Sequence, residues 1–364
     1  MAELKAKIAA LEPLVHGNPA AMLSLARMLQ ADRQPERAFA MCRAALLLAP
    51  DDAEFAAKAR RFVGGTVPDW HFNIVKDEAR NAAYDAALRR AVKPESRVLE
   101  IGAGAGLLAM MAARAGAGQV ITCEMTPAIA EKAAEIVALN GYADRVRVVA
   151  MHSDTLDAEA DMGGRADILV SEIVSNNLLG QHVLATHERA VRDLLKPGAR
   201  VIPSRGVVRA ALAHDARADL VRLTKVAGFD LSAFNTLARP VRDFPVGHER
   251  LSLRSEPADL LAFDFASARY CAPGQAAQVC RSTGGEVNGI AQWIALELDD
   301  VTRYENRPGP GATSCWGVLF YPFAQPLQTV PGQDIRVCAS HDRESLTIWA
   351  ESAAPGDARL PAGR

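Results

Sequence analysis

No apolar run in the sequence approaches the roughly 18–20 residues that a membrane-spanning helix needs, so no membrane partner is expected. Charge of one sign is also lacking. The 41 Lys+Arg stand against 43 Asp+Glu, a formal charge of −2. That balance excludes a nucleic-acid partner held by a basic face, and equally an acidic disordered chain. A cationic partner would have to be recruited by a local acidic cluster. Cysteine is scarce and scattered: Cys42, Cys123, Cys271, Cys280, Cys315 and Cys338 form no CxxC and no Cys/His pair at zinc spacing. No metal site is expected from them; they read as reduced thiols of a cytoplasmic protein. The N-terminal stretch MAELKAKIAALE has charges at helical spacing and no apolar h-region, so it does not read as a secretory signal.

What the chain does have is length and apolar material. Its 364 residues, 49% of them hydrophobic, suffice for about two domains and more than one core. Residues 1–62 read as a helical hairpin. Met22, Leu25, Ala26 and Leu29 recur on one face. Gln34-Pro35-Glu36 then opens a second helix, with Pro at a tolerated first-turn position, that carries Ala38, Cys42 and Ala45 inward. The span 19–52 fits one tetratricopeptide unit of about 34 residues, and equally an ordinary hairpin packed on a neighbouring domain. Val63-Gly64-Gly65-Thr66-Val67-Pro68 is a linker by composition. From 69 to 203, short apolar runs (RVLEIGAG, QVITCEM, RVRVVAM, ADILVSEI, ARVIP) alternate with Ala-rich helical stretches, which predicts a parallel sheet covered by helices. Beyond Pro203 the alternation stops. Segments such as QWIALELDD, WGVLFYPF and DIRVCASH, set between Pro/Gly turns, predict an antiparallel β domain over 204–352. A helix-like insertion at about 214–239 interrupts it, and the tail at 353–364 reads as disordered.

The segment Arg97-Val98-Leu99-Glu100-Ile101-Gly102-Ala103-Gly104-Ala105-Gly106 places three alternate glycines between a buried strand and a helix. Glycines there let the backbone turn tightly and approach a ligand, with helix N–H groups facing it. The spacing ExGxGxG, rather than GxGxxG, is the form typical of sheets that bind S-adenosylmethionine. Glu124, at the end of the next strand, would accept two ribose hydroxyls. Asp154, with Ser153 beside it after the third strand, would accept from the adenine amino group.

Read outward from this loop, the sequence resembles the protein arginine methyltransferases. Ile74-Val75-Lys76-Asp77-Glu78-Ala79-Arg80, with Tyr84 four residues on, resembles the cofactor-lid helix of that family. Ser171-Glu172-Ile173-Val174-Ser175-Asn176-Asn177-Leu178-Leu179-Gly180-Gln181 is similar to its double-glutamate hairpin. Leu195-Lys196-Pro197-Gly198 through Pro203 resembles its hinge, and Gly228-Phe229-Asp230-Leu231-Ser232 the segment closing its dimerisation arm. Ser314-Cys315-Trp316 lies where the family has Thr-His-Trp. N-terminal helical repeats also occur in one branch.

The resemblance implies a fold class: α/β, a Rossmann-like S-adenosylmethionine-binding sheet followed by an antiparallel β-barrel with a helical dimerisation arm, preceded by a helical hairpin. It implies an enzyme that transfers methyl to a guanidinium nitrogen of a protein or peptide arginine and forms a homodimer through the arm. Arg80 would hold the cofactor's methionine carboxylate, a charge-assisted contact that Lys would serve less well. Glu172 would orient the substrate guanidinium, and Trp316 would help wall its channel.

Two departures bear on that expectation. The second glutamate of the hairpin is Gln181 here, which keeps an acceptor and loses a charge. His182 and His187 follow it as alternative bases or as ordinary helix histidines. Cys315 replaces the histidine that pairs with the lid-helix aspartate. Asp77 must then pair elsewhere, Arg80 being nearest in sequence, and a lid that is looser or differently closed is expected. Asn176 and Asn177 suit either a polar neutral substrate group or a turn. The one local acidic cluster is Glu297, Asp299, Asp300 and Glu305, with Arg303 among them. Three readings stay open: an arginine methyltransferase, a methyltransferase acting on another nitrogen or a small metabolite, and a cofactor-binding interaction protein without turnover.

Overall fold

The computed structural model describes residues 2–217 and 223–351, in two units: Met1–Lys76 with Leu88–Ser171, and Asp77–Ala87 with Glu172–Arg364. The expected tail at 353–364 and Leu220 of the expected arm lie outside the described residues.

In the first unit the helix starts are chemically marked. After α1 (Ala2–Leu11), α2 (Pro19–Ala31) and α3 (Pro35–Leu48) each open on Pro, where an amide N–H has no helical partner to lose. Asn18 Oδ1 accepts from Ala21 N at 3.1 Å, and Asp52 Oδ1 from Phe55 N at 2.9 Å to open α4 (Ala53–Gly64). Met22, Leu25, Ala26 and Leu29 of α2 meet Ala38, Cys42 and Ala45 of α3, as their spacing predicts, and Ile8, Phe55 and Ala59 from α1 and α4 join the same cluster. The helical element is thus larger than a hairpin, and α4 runs into the stretch read as linker. The alanines are fully buried, so the absence of bulk at these positions is what lets the helices approach.

After α5 (Trp70–Ile74) and α6 (Glu78–Ala91), which begins in the second unit, strand and helix alternate as expected. The strands are β1 (Arg97–Ile101), β2 (Gln119–Cys123), β3 (Val146–Val149) and β4 (Ala166–Ser171). The helices α7 (Leu107–Arg114) and α8 (Pro127–Leu139) lie between them in sequence. The five-stranded sheet contains the parallel order β3-β2-β1-β4 within this unit. The register pairs Ile101 with Cys123 and with Ser171, and Cys123 with Val149. The residues that follow β1 and β2, Gly102 and Glu124, therefore leave the sheet at one edge.

The second unit holds α9 (Val183–Arg189), β5 (Leu195–Ile202), two larger antiparallel sheets and a two-stranded one. Strand β6 (Arg205–Asp215) is followed by the short β7 (Lys225–Val226), β8 (Phe229–Asp230), β9 (Arg242–Phe244) and β10 (Leu251–Leu253). Then come β11 (Ala258–Asp264), β12 (Gly274–Arg281), β13 (Gly285–Glu297), β14 (Arg303–Glu305), β15 (Val318–Thr329), β16 (Asp334–His341) and β17 (Leu346–Glu351). The larger sheet runs β10-β6-β13-β15-β9, with β11 also on β6 and β14 on β13; the smaller is β12-β16-β17. Trp293 and Phe320 lie fully buried in the core of the larger sheet, and Trp293 Nε1 donates to Glu305 Oε1 at 2.7 Å.

The arm departs from the helical expectation. Among its described residues it is a hairpin, β7 and β8, followed by a 3-10 turn over Ser232–Leu237. Ala227 and Gly228 have φ of 52° and 88°. Two consecutive left-handed residues match the tight turn of a two-residue hairpin and cannot continue a right-handed helix.

Candidate active site

The first unit carries a loop shaped for a nucleoside. Gly102, Gly104 and Gly106 sit at φ of 86°, 49° and 76°, conformations that L-residues other than glycine adopt only under strain. A Cβ on Gly104 would meet nothing within 4 Å, so that side of the loop is open, whereas one on Gly106 would come within 3.2 Å of Val137 Cγ2. Glu124 is buried, and its two oxygens each accept one backbone N–H, from Gly104 at 3.2 Å and Thr126 at 2.9 Å. A carboxylate fixed in this way keeps lone pairs for a pair of hydroxyls. His71 of α5 also feels Glu124, although burial outweighs that pull and lowers its pKa. Ser153 is buried and Asp154 exposed, in a 3-10 turn where His152 Nδ1 accepts from Asp154 N at 3.1 Å. These polar groups and the open loop fit S-adenosylmethionine: the Glu124 carboxylate for the ribose hydroxyls, Ser153 and Asp154 for the adenine.

The second unit gathers the ionisable groups. Glu172 follows directly on β4, and its side chain is only 3% exposed. Arg80 Nη2 donates to its Oε2 at 2.8 Å, while Nη1 donates to Asn81 Oδ1 at 2.7 Å. The guanidinium also lies over the Tyr84 ring, 5.0 Å from its centre. Two atoms of this pair, Arg80 Nε and Glu172 Oε1, are buried without a hydrogen-bond partner among the described residues. A buried donor and a buried acceptor left open in this way fit, respectively, a carboxylate such as the cofactor's and a substrate N–H. Burial raises the Glu172 pKa to about 7, against the pull of Arg80. Burial works against the charge on Arg80, but Glu172 holds its pKa above the ordinary value.

Asp77 finds partners that sequence reasoning missed. Its Oδ1 accepts from Arg80 N at 2.9 Å, the contact of a helix cap, at the start of α6. Its Oδ2 accepts from the Tyr304 hydroxyl at 2.6 Å and from Cys315 N at 2.9 Å. The Tyr304 proton is thus committed to Asp77, and Ser314 Oγ, 2.7 Å away, donates to the Tyr304 oxygen. Burial would raise the Asp77 pKa, but these three donors together hold it below the usual carboxylate value. The expected pairing with Arg80 is therefore corrected: only the Arg80 backbone serves Asp77, and its guanidinium goes to Glu172. Of the two lid outcomes expected, the contacts agree with a different closure: a hydroxyl and a main-chain N–H meet Asp77 in the absence of the histidine. Nothing local announces Tyr304, which is 227 residues from Asp77.

The remaining predicted residues divide. Trp316 is 4% exposed, its Nε1 donating to Val174 O at 3.2 Å and its ring edge-on to Tyr304. Cys315 adjoins Asp77 and Glu172; burial first, then those two carboxylates, push its thiol pKa well up. Asn177 is a turn residue, its Oδ1 accepting from Ser175 Oγ, Leu179 N and Gly180 N. Asn176 ties the hairpin down, donating to Asp243 Oδ2 at 2.8 Å and accepting from Gly317 N at 3.0 Å. Gln181 is not joined to Glu172. It is exposed, at φ 58°, with no hydrogen bond among the described residues. His182, at φ 56°, meets Glu344 at 2.9 Å on the surface. His187 is a core residue, stacked on Phe265, and burial lowers its pKa to about 4. The acidic cluster is largely occupied: Arg205 takes Glu297 at 3.0 Å, Arg209 takes Glu305 at 2.6 Å, and Asp299 caps its own loop. Among the described residues there is no group of His, Cys, Asp and Glu that could hold a metal, and no helix is long and apolar enough to cross a membrane.

Comparison with known proteins adds a lineage. Residues 86–219 match the family model of ribosomal protein L11 methyltransferase (PrmA). An arginine N(omega)-methyltransferase of Streptomyces achromogenes subsp. streptozoticus is 37% identical over 322 residues, 85% of this chain and 87% of that protein. Protein arginine N-methyltransferase 7 of Drosophila grimshawi is 39% identical over 152 residues, 40% of this chain but only 22% of its own length. In fold, the chain is similar to PRMT1 in the Trypanosoma brucei enzyme–prozyme heterotetrameric complex with AdoHcy. That likeness has a TM-score of 0.69 and 21% identity, over 79% of this chain and 95% of that one.

Proposed function

We propose that this chain, a member of the protein arginine N-methyltransferase family and an S-adenosylmethionine-dependent methyltransferase, methylates a guanidinium nitrogen held by Glu172. The observation that carries this reading is the buried Glu172 carboxylate, with Arg80 on one oxygen and the other oxygen unengaged. When bound, S-adenosylmethionine supplies an electrophilic methyl group on its sulfonium sulfur. Arg80 holds the cofactor's carboxylate, and Gly102, Gly104, Gly106 and Glu124 hold its nucleoside. Glu172 Oε1 accepts an N–H of the acceptor, orients the attacked nitrogen, and receives the proton that nitrogen sheds. A carboxyl with a pKa near 7 is well poised for that exchange. Trp316 and Cys315 wall the acceptor side, and Asn176 and Asn177 keep the hairpin in shape. Exposed Gln181 leaves the site running on a single carboxylate.

Two acceptor forms follow from the relatives' names: an arginine of a protein or peptide, and, from the streptomycete enzyme, arginine itself. A homodimer through the arm is supported by Val226, Phe229, Phe234 and Leu237, each at least 48% exposed. The packed α2–α3 pair supports a tetratricopeptide-like role for the N-terminal helices, and the six free thiols support a cytoplasmic setting. Transfer of a radiolabelled methyl from S-adenosylmethionine to arginine and to arginine-rich peptides tests the proposal. Glu172→Gln should cost about 10²–10³-fold in rate. Undiminished transfer in that variant would remove Glu172 from the reaction.

A further inference from the structure

Beside Ser314-Cys315-Trp316 the second unit has a cavity of about 690 Å³, lined by Arg217, His248, Glu249, Arg250, Thr313 and Ser314 among others. Its size is that of a small-molecule site. One end of its lining, Ser314, hydrogen-bonds Tyr304 and adjoins Cys315, whose thiol feels the Glu172 carboxylate. Part of the cavity's lining is thus continuous in the chain with Cys315 and Trp316, the residues assigned to the acceptor side.

Its charge is the opposite of what a polybasic substrate would meet. Arg217 is exposed, and its guanidinium has no partner among the described residues. Arg250 shares the buried Asp215 with Arg242, but at 3.6 Å, and its Nε is buried without a hydrogen bond. The Arg250 guanidinium also lies 5.6 Å from the centre of the Phe244 ring. His248 Nδ1 already accepts from Arg250 N, which leaves Nε2–H as a donor. Against these donors stands one exposed carboxylate, Glu249. Of the acidic residues expected to receive a cationic tail, Glu297 and Glu305 are meanwhile taken by Arg205 and Arg209.

We infer that this cavity is a subsite for a carboxylate carried by the acceptor, and that the acceptor is arginine as a free amino acid. Arg217 and Arg250 receive its α-carboxylate while Glu172 holds its guanidinium. A guanidinium fork is well matched to a carboxylate, and two forks in one cavity fix its orientation. The inference rests on the guanidinium reading above and selects between its two acceptor forms.

Steady-state kcat/KM is measured for the full chain with L-arginine, with agmatine, which lacks only the carboxylate, and with an arginine-rich peptide. L-Arginine should exceed agmatine by about tenfold or more, the scale of one charge-assisted contact. Arg217→Ala should pull that ratio towards one, and Arg217→Glu should invert it in favour of agmatine. Equal use of L-arginine and agmatine by the unaltered enzyme overturns the inference, as does an equal loss on both acceptors in Arg217→Ala. An enzyme that methylates the peptide and ignores L-arginine refutes the subsite and leaves the guanidinium reading standing. One that methylates no guanidine refutes that reading itself.

Discussion

Replacing Tyr304 with Phe removes a single oxygen from the second unit and leaves the ring, with its edge contact to Trp316, in place. The oxygen donates to a carboxylate that is 8% exposed, at 2.6 Å, and Asp77 has two further donors, Arg80 N and Cys315 N. Losing one hydrogen bond to a buried charge costs about 1.5–3 kcal/mol. The upper part of that range applies here, because Asp77 is buried and Ser314 Oγ loses a partner as well. Urea unfolding should show the loss as a lower midpoint with an unchanged slope. The pH dependence follows from the direction of the Asp77 shift. Its folded-state pKa lies below the ordinary 3.8, so its contribution is present above that value and lost as pH falls through the folded one. The deficit of Tyr304→Phe should therefore be full near neutrality and shrink below about pH 4. A deficit under about 0.5 kcal/mol, or one of equal size at pH 3 and pH 7, would refute the view that Tyr304 stands in for a lost histidine.

Glu172 titrates in the opposite sense. Its folded-state pKa is raised, so its favourable share of stability is present below the ordinary 4.5 and lost as pH rises through about 7. Activity moves the other way, since only the carboxylate has the charge to pair with a guanidinium and the capacity to take its proton: kcat/KM for the acceptor should climb through an ionisation near pH 7 and level off above it. A profile flat from pH 5 to 9 contradicts this assignment. For the arm, Phe229 is 72% exposed at the tip of the β7–β8 hairpin; Phe229→Asp should convert a dimer to a monomer in sedimentation equilibrium, and a monomeric parent protein rules the dimer out.

Much of the architecture was legible because it depends on short-range periodicity. The spacing of Met22, Leu25 and Leu29, the alternation of apolar runs with Ala-rich helices, and the glycine triplet each express a constraint within a few turns or one strand. Residues 225–230 of the arm were misread because Ala227 and Gly228 reverse the backbone hand, and a helix-like composition on either side outweighed that signal. At the candidate site, the places of Glu172 and Glu124 just past strand ends and of the glycines in their loop were legible, whereas the exposure of Gln181 and the burial of His187 were not. Burial decided those two, placing one on the surface and the other in the core, and burial is a property of the whole fold.

The sequence alone determined the order of the elements, the glycine loop and the identity of the buried carboxylate after β4. Those features are set by local backbone chemistry. Only the tertiary structure decided that Asp77 is held by Tyr304 and Cys315, that Glu297 and Glu305 are taken by Arg205 and Arg209, and that Arg217 and Arg250 line one cavity. Each of these partnerships joins residues from separate strands or loops, where no spacing rule in the chain records which side chains will meet.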